Sequence, residues 1–188
     1  MRVLVSECKF SLDTWRPSDR RSPLDVVLAL MAENRRYESI AVYLVREERV
    51  HLLSHAGRMP MSDNLTFGEG AVGSVAKNGI TRVKGIGTNS PESKPELAVP
   101  IKLAGRVRGV LQVESRRLAP SDNVLVHEIA HMIARFLSSN GKYLVRKARE
   151  NMPAETPENL VKPYRATSEK NPAETNLRRA AAGESSRA

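Results

Sequence analysis

Residues 67–76 (FGEGAVGSVA), 96–101 (ELAVPI) and 105–115 (GRVRGVLQVES) are the stretches of sequence that decide the fold. In the first stretch, glycines precede and interrupt a run of small apolar residues. This pattern predicts a tight turn into a short helix that packs closely on a sheet. The other two stretches are rich in β-branched residues. They predict a hairpin of two strands, over 96–103 and 106–115, joined at Ala104-Gly105.

The sequence on either side of these stretches completes a small domain. Ser22-Pro23 is typical of a helix start, and apolar residues continue at helical spacing to about Arg36. The remaining predicted elements are strands over 39–46, 50–56 and 80–83, a short helix over 71–77, and a last helix from Pro120 to about Leu137. Strands joined by short turns favour an antiparallel sheet with helices packed on it, which is an α+β fold.

Composition divides the chain into three parts. Residues 1–21 are interpreted as a leader, because Pro17 and the polar run after it interrupt any long helix. Residues 22–140 hold the dense apolar pattern and form the domain. Residues 141–188 are predicted to be a basic, largely disordered tail, since they contain too few apolar residues to offset the entropy of ordering.

Charge and cysteine content exclude several classes of protein. The net charge is +9, but the cations occur as scattered doublets and aromatic residues make up only 4% of the chain, so nucleic acid is not an expected partner. The one cysteine, Cys8, cannot form an internal disulfide or a cysteine-based metal site. No stretch approaches the roughly 20 apolar residues of a membrane span, so we expect a cytoplasmic protein without a membrane partner.

The three stretches, in this order and spacing, resemble a GAF domain, and the resemblance covers residues 24–138. It implies a six-stranded antiparallel sheet with flanking helices and a pocket for a small ligand. The implied function is small-ligand sensing and dimerisation in signal transduction, without a cofactor. The expected partners are a ligand of unknown identity, a second copy of the chain and a downstream signalling protein.

The resemblance also implies which residues bind the ligand. One branch of GAF proteins reduces free methionine sulfoxide with pocket cysteines, and holds its ligand with acids at the positions of Glu96, Gln112 and Glu114. Here Gln112 is not acidic, and residues 84–95 contain no cysteine. A reductase needs a thiolate at its substrate. We therefore predict no catalytic residue and no enzymatic activity. We expect Glu96, Gln112 and Glu114 to bind a ligand, with Tyr43 of the first strand as a wall of the same pocket.

A competing function comes from His127-Glu128-Ile129-Ala130-His131, which matches the HExxH motif of zinc hydrolases. That motif places two imidazoles one helical turn apart on zinc, beside a glutamate that activates water. On a helical projection, however, both histidines fall opposite the apolar residues, and no further histidine follows at short spacing. A zinc-dependent hydrolase stays the alternative function, and we assign no metal site.

The expected homodimer would form through the first and last helices of the domain. Their apolar stripes are longer than the sheet alone requires, so part of each is predicted to face a second chain. The residues of these stripes are Leu24, Val27, Leu28 and Met31 on the first helix and Ile129, Ile133, Phe136 and Leu137 on the last.

Overall fold

The computed structural model describes residues 1–84 and 94–151, with only the backbone described for residues 141–151. The elements in chain order are α1 (Arg2–Thr14), α2 (Pro23–Arg35), β1 (Ser39–Arg46), β2 (Arg49–Gly57), β3 (Asn64–Thr66), α3 (Gly70–Asn78), β4 (Arg82–Lys84), β5 (Glu96–Leu103), β6 (Arg106–Glu114) and α4 (Pro120–Asn151).

The strands form one six-stranded sheet in the order β3-β2-β1-β6-β5-β4, and every neighbouring pair is antiparallel. The predicted α+β fold with a six-stranded antiparallel sheet is therefore confirmed. The turn between β5 and β6 is the predicted Ala104-Gly105 pair. Both residues have positive φ, 49° and 76°, as a two-residue hairpin turn requires.

The two faces of the sheet carry different cores, because side chains alternate between the faces along each strand. One face packs against α1, α2 and α4, and its buried strand residues are Ile40, Val42, Leu97, Val99, Ile101, Leu111 and Val113. The other face, which we call the α3 face, packs against α3. Its buried strand residues are Ala41, Tyr43, Val50, Ala98 and Val110. The α3 face thus has the smaller apolar core.

Two glycines permit close approach of backbone segments around α3 and β6. A Cβ on Gly73 would lie 2.2 Å from the carbonyl oxygen of Thr66, and a Cβ on Gly109 would lie 2.4 Å from the carbonyl oxygen of Tyr43. Any side chain at either position would collide with main chain. The contact at Gly73 supports the interpretation of residues 67–76 as a site of tight packing, and Gly109 permits an equally close approach between β6 and β1.

Helix α1 lies in the segment that the sequence analysis treated as a leader. Its residues Leu4, Cys8 and Leu12 are four positions apart, share one side of the helix and are buried in the core with α2 and α4. Its other side carries the exposed residues Val3 and Phe10. Helix α1 therefore belongs to the compact unit Met1–Asn151. The polar residues between the buried positions obscured this pattern in the sequence.

The interface assigned to the homodimer is wrong, because its residues are buried inside the chain. Seven of the eight residues are at most 6% exposed, and Leu137 is half-buried against the same core. Helix α1 packs on α2 and α4 and so occupies the surface that was predicted to face a second chain. The homodimer itself stays a prediction.

Helix α4 is longer than predicted and continues past Leu137 to Asn151, so the first residues assigned to the tail are helical. The rest of the predicted tail, residues 152–188, lies outside the described residues. Within the described part of the chain, no helix combines the length and the apolar character needed to span a membrane.

Asp122 ties α4 to α2 and to the start of β1. Its Oδ1 accepts hydrogen bonds from Arg35 Nε at 3.0 Å and from the Tyr37 hydroxyl at 2.8 Å, and its Oδ2 accepts one from the Ala119 backbone N–H at 2.7 Å. Burial by itself raises the pKa of Asp122, but these hydrogen bonds outweigh it and leave the pKa below the ordinary value.

Replacing Leu12 by Ala tests whether α1 belongs to the core. Leu12 is 6% exposed, so we expect Leu12→Ala to lower the free energy of unfolding by about 2–4 kcal/mol through lost burial and the cavity left behind. Val3 is 71% exposed on the same helix, and Val3→Ala should change the free energy of unfolding by less than about 0.5 kcal/mol. Urea denaturation measures both variants. Equal, small effects would mean that α1 is not docked.

The Asp122 hydrogen bonds predict a specific dependence of stability on pH. Because the pKa of Asp122 is lower in the folded than in the unfolded chain, the stabilisation is present at neutral pH and is lost as the pH falls through the folded-state pKa. Asp122→Asn should therefore be less stable than wild type at pH 7, and the two curves should converge in acid. Urea denaturation across pH is the measurement, with Glu128→Gln on the exposed side of α4 as the control.

Candidate functional site

A pocket of about 430 Å³ lies on the α3 face of the sheet, between the strands, the first turn of α3 and the chain that joins β2 to β3. Its volume suits a small organic molecule. The lining residues are Tyr43, Pro60, Met61, Ser62, Leu65, Glu69, Gly70, Ala71, Val72, Arg82, Val83, Lys84, Glu96, Gln112 and Glu114. All four residues that the sequence analysis assigned to ligand binding are in this set.

The polar floor of the pocket is made by two neighbouring strands. Glu96 on β5 and Glu114 on β6 are direct cross-strand partners, and Gln112 lies two residues before Glu114 on the same side of β6. The Gln112 amide nitrogen donates to Glu96 Oε1 at 2.7 Å and to Glu114 Oε1 at 3.4 Å. Gln112 therefore links the two carboxylates and reduces the repulsion between them.

Arg58, which follows β2, provides a second internal partner for Glu114. Its guanidinium forms a hydrogen-bonded ion pair with Glu114 Oε2. The Arg58 backbone is also held in place, since its N–H donates to the Glu38 carbonyl at 2.7 Å and its carbonyl accepts the Ser39 hydroxyl at 2.9 Å. Both oxygens of Glu114 are thus occupied by groups of this chain.

Glu96 is less completely satisfied. Burial raises the pKa of its carboxyl group, the hydrogen bond from Gln112 opposes this, and the nearby Glu114 raises it further. The charges of Lys84 and Arg82 on β4 lower it by smaller amounts. The net result is a pKa above the ordinary value. The charged form of Glu96 is therefore held at a cost in the folded chain, which is typical of residues that serve a function.

Tyr43 forms the apolar part of the pocket at β1. Its ring is 1% exposed and belongs to the core of the α3 face, and its hydroxyl lies 3.4 Å from the Ser62 carbonyl. Burial, followed by the charges of Glu114 and Glu96, raises the pKa of this hydroxyl, so it stays protonated and acts as a hydrogen-bond donor.

The basic residues of the site were not among the residues predicted to bind a ligand. Arg82 and Lys84 line the pocket from β4, and Arg58 reaches it from the segment after β2. The alternation Arg82-Val83-Lys84 on a strand beside β5 was a signal that both cations share one face. Nothing local in the sequence indicates that Arg58 turns back to Glu114.

A second cavity, of about 820 Å³, lies between α1 and α2 on the opposite side of the sheet. Its wall is largely apolar, with Val3, Phe10, Val26 and Leu30 among its residues. We place the candidate site in the smaller pocket on chemical grounds, because several converging polar groups determine the orientation and selectivity of a ligand.

The HExxH motif lies on the solvent side of α4. His127, Glu128 and His131 are exposed, and His127 Nε2 lies 2.9 Å from the hydroxyl oxygen of Thr81. No group of three or more metal-binding side chains comes together in the described residues. The described part of the chain therefore offers no third protein ligand of the kind that a zinc hydrolase uses.

Cys8 lies outside the pocket. It belongs to the core on the face that packs against α1, α2 and α4, and its side chain is fully buried. Burial, with a smaller contribution from Glu7, raises the pKa of the thiol to about 12, so it stays protonated at neutral pH.

Solved structures with the same architecture are GAF domains and GAF-fold enzymes. The A. aeolicus NLH2 GAF domain in an inactive state matches with a TM-score of 0.63 and 20% identity, over 74% of this chain and 96% of that one. The free methionine-R-sulfoxide reductase from Neisseria meningitidis, in complex with its substrate, matches with a TM-score of 0.63 and 23% identity, over 78% of this chain and 90% of that one. The fRMsr of Staphylococcus aureus, also in complex with substrate, matches with a TM-score of 0.60 and 22% identity, over 72% of this chain and 94% of that one. The described chain therefore has a GAF-like fold.

Sequence comparisons do not extend this result, since no protein-family profile and no curated protein matches the chain. The structural matches do correct one prediction. The prediction that the protein is not an enzyme is wrong, because several proteins with this fold are free methionine-R-sulfoxide reductases. A GAF-like fold is compatible with both binding and catalysis.

The raised pKa of Glu96 predicts that its charge costs stability. Because the pKa is higher in the folded than in the unfolded chain, the contribution of this carboxyl group to stability is greatest in acid and is lost as the pH rises through the folded-state pKa. Glu96→Gln should therefore be more stable than wild type at pH 7, and this gain should disappear in acid. Thermal unfolding at several pH values measures it. A Glu96→Gln variant that is less stable at pH 7 would contradict the assignment.

Proposed function

We propose that the protein is a small-ligand sensor whose ligand binds in the α3-face pocket. The observation that carries this proposal is the Glu96–Gln112–Glu114 group, where three polar side chains meet on a sheet face that otherwise packs as core. A group of this kind stabilises the fold less than apolar residues would, so a binding role explains its presence.

The position of the pocket supports sensing as well as binding. A ligand in the pocket would touch β1, β5 and β6 in the sheet together with the first turn of α3. Occupancy would therefore favour one arrangement of α3 against the sheet, which is how a ligand shifts a population between two states. The fold is shared with a GAF domain described in an inactive state, and a downstream signalling protein would read the change.

The test is to find the ligand and to block its site with a matched pair of variants. Ala71 lines the pocket on the first turn of α3, so Ala71→Trp should fill the cavity. Lys77 is exposed on the last turn of the same helix, and Lys77→Trp adds the same ring outside the pocket. Native mass spectrometry of protein taken directly from cells should detect a small bound molecule in wild type and Lys77→Trp, and none in Ala71→Trp.

Two outcomes would contradict the proposal. A bound molecule retained equally by Ala71→Trp would bind elsewhere on the chain. The second outcome is a wild-type protein that carries no bound molecule and that no cellular metabolite extract stabilises against heat. A ligand at one hundred times its Kd stabilises the folded state by about 2.7 kcal/mol, so a true ligand in such an extract would raise the melting temperature.

A further inference from the structure

Arg82 and Lys84 place two positive charges on one wall of the pocket. On β4 they are two residues apart, opposite Ala98 and Glu96 of β5, and so they share the α3 face of the sheet. Both line the pocket, and both are exposed to it and to solvent. The cations therefore face Gln112 and Glu114 across the strand that carries Glu96.

Neither cation has a hydrogen-bond or ion-pair partner among the described residues. The other charges of the pocket are occupied: Glu69 accepts from the backbone N–H and hydroxyl of Thr66, and Glu114 accepts from Arg58 and Gln112. Glu96 accepts one hydrogen bond, at Oε1, from Gln112. Arg82 and Lys84 also lie close enough to Glu96 for their charges to stabilise its carboxylate. The charged groups that still have room for a hydrogen bond to a ligand, within the described chain, are these two cations and the second oxygen of Glu96.

This distribution of charges differs from the one that a pocket for a free amine alone would need. Gln112 stands at one of the three positions where one branch of GAF proteins holds its ligand with acids. Arg58 neutralises the acid at a second of these positions, Glu114. An ammonium group alone would meet one carboxylate and two nearby cations, so its net attraction to the pocket would be small.

We propose that Arg82 and Lys84 bind an anionic group of the ligand, a phosphate or a carboxylate, while Glu96 accepts a hydrogen bond from an amine at its other end. The proposal rests on the proposed function and names the class of ligand for that site: a small molecule with an anionic group and an amine. Arginine and lysine both bind phosphate and carboxylate oxygens strongly, and the arginine fork can engage two oxygens at once.

Three small probes separate the two ends of such a ligand. Phosphoethanolamine carries both groups, ethyl phosphate only the anion, and ethanolamine only the amine. Titration of the full chain by NMR should show phosphoethanolamine binding more tightly than either half-probe. Its affinity should fall with added salt, since the cations are exposed.

A charge-matched pair of double variants assigns the effect to the pocket. Arg82→Gln with Lys84→Gln should weaken phosphoethanolamine and ethyl phosphate about tenfold or more, and should leave ethanolamine unchanged or slightly tighter. Arg106→Gln with Arg108→Gln removes the same charge from exposed positions of β6 outside the pocket and should change none of the three. All four positions are exposed, so both variants should fold, and circular dichroism confirms it.

The outcomes separate this inference from the proposed function. The anion site would be overturned if both double variants lost the same affinity for phosphoethanolamine, or if ethanolamine bound as tightly as phosphoethanolamine. The proposed function would still be supported in that case by a cellular ligand that binds wild type and is excluded by Ala71→Trp. Ethyl phosphate binding as tightly as phosphoethanolamine would overturn the role of Glu96. Failure of wild type to bind any probe would overturn the inference, and native mass spectrometry would then decide the proposed function independently.

Discussion

The antiparallel pairing of β1 with β6 is the interaction on which the rest of the structure depends. The register runs from Ser39 opposite Glu114 to Leu44 opposite Gly109, and both strands are paired on their other side as well. This register brings Tyr43 and Gln112 onto the same face, although they are far apart in sequence. Gly109 permits the close approach to the Tyr43 carbonyl that the register requires. A shift by one residue would move the pocket residues to the other face.

One face of the sheet carries the larger apolar core, and the other face carries the candidate pocket. The face against α1, α2 and α4 is covered by large apolar side chains and carries the larger core. On the α3 face, the buried residues are fewer and smaller, and polar side chains take the positions towards the end of β6. The apolar core on one face thus supplies the stability that lets the other face hold a pocket with a carboxyl group, Glu96, whose charge is unfavourable there.

The protein neutralises much of the pocket with its own side chains. Gln112 bridges the two carboxylates, and Arg58 forms an ion pair with Glu114. In the described part of the site, the cations of β4 are near Glu96 but form no hydrogen bond with it, so both sides can still bind a ligand. The same architecture serves enzymes that act on free methionine-R-sulfoxide.

The sequence by itself indicated five of the six strands, the helix starts at Pro23 and Pro120, and four residues that line the pocket, because local periodicity, turn residues and a family-like pattern involve consecutive residues. It did not indicate β3, whose three residues are too few to show an alternating pattern, or the order of the strands in the sheet. Only the tertiary structure decided that α1 belongs to the core, since its buried residues are separated by polar ones and their partners lie on α2 and α4. It also decided that Arg58 reaches Glu114 and that Arg82 and Lys84 face Glu96. Such contacts depend on strand register and on the path of loops, which join residues that no local pattern connects.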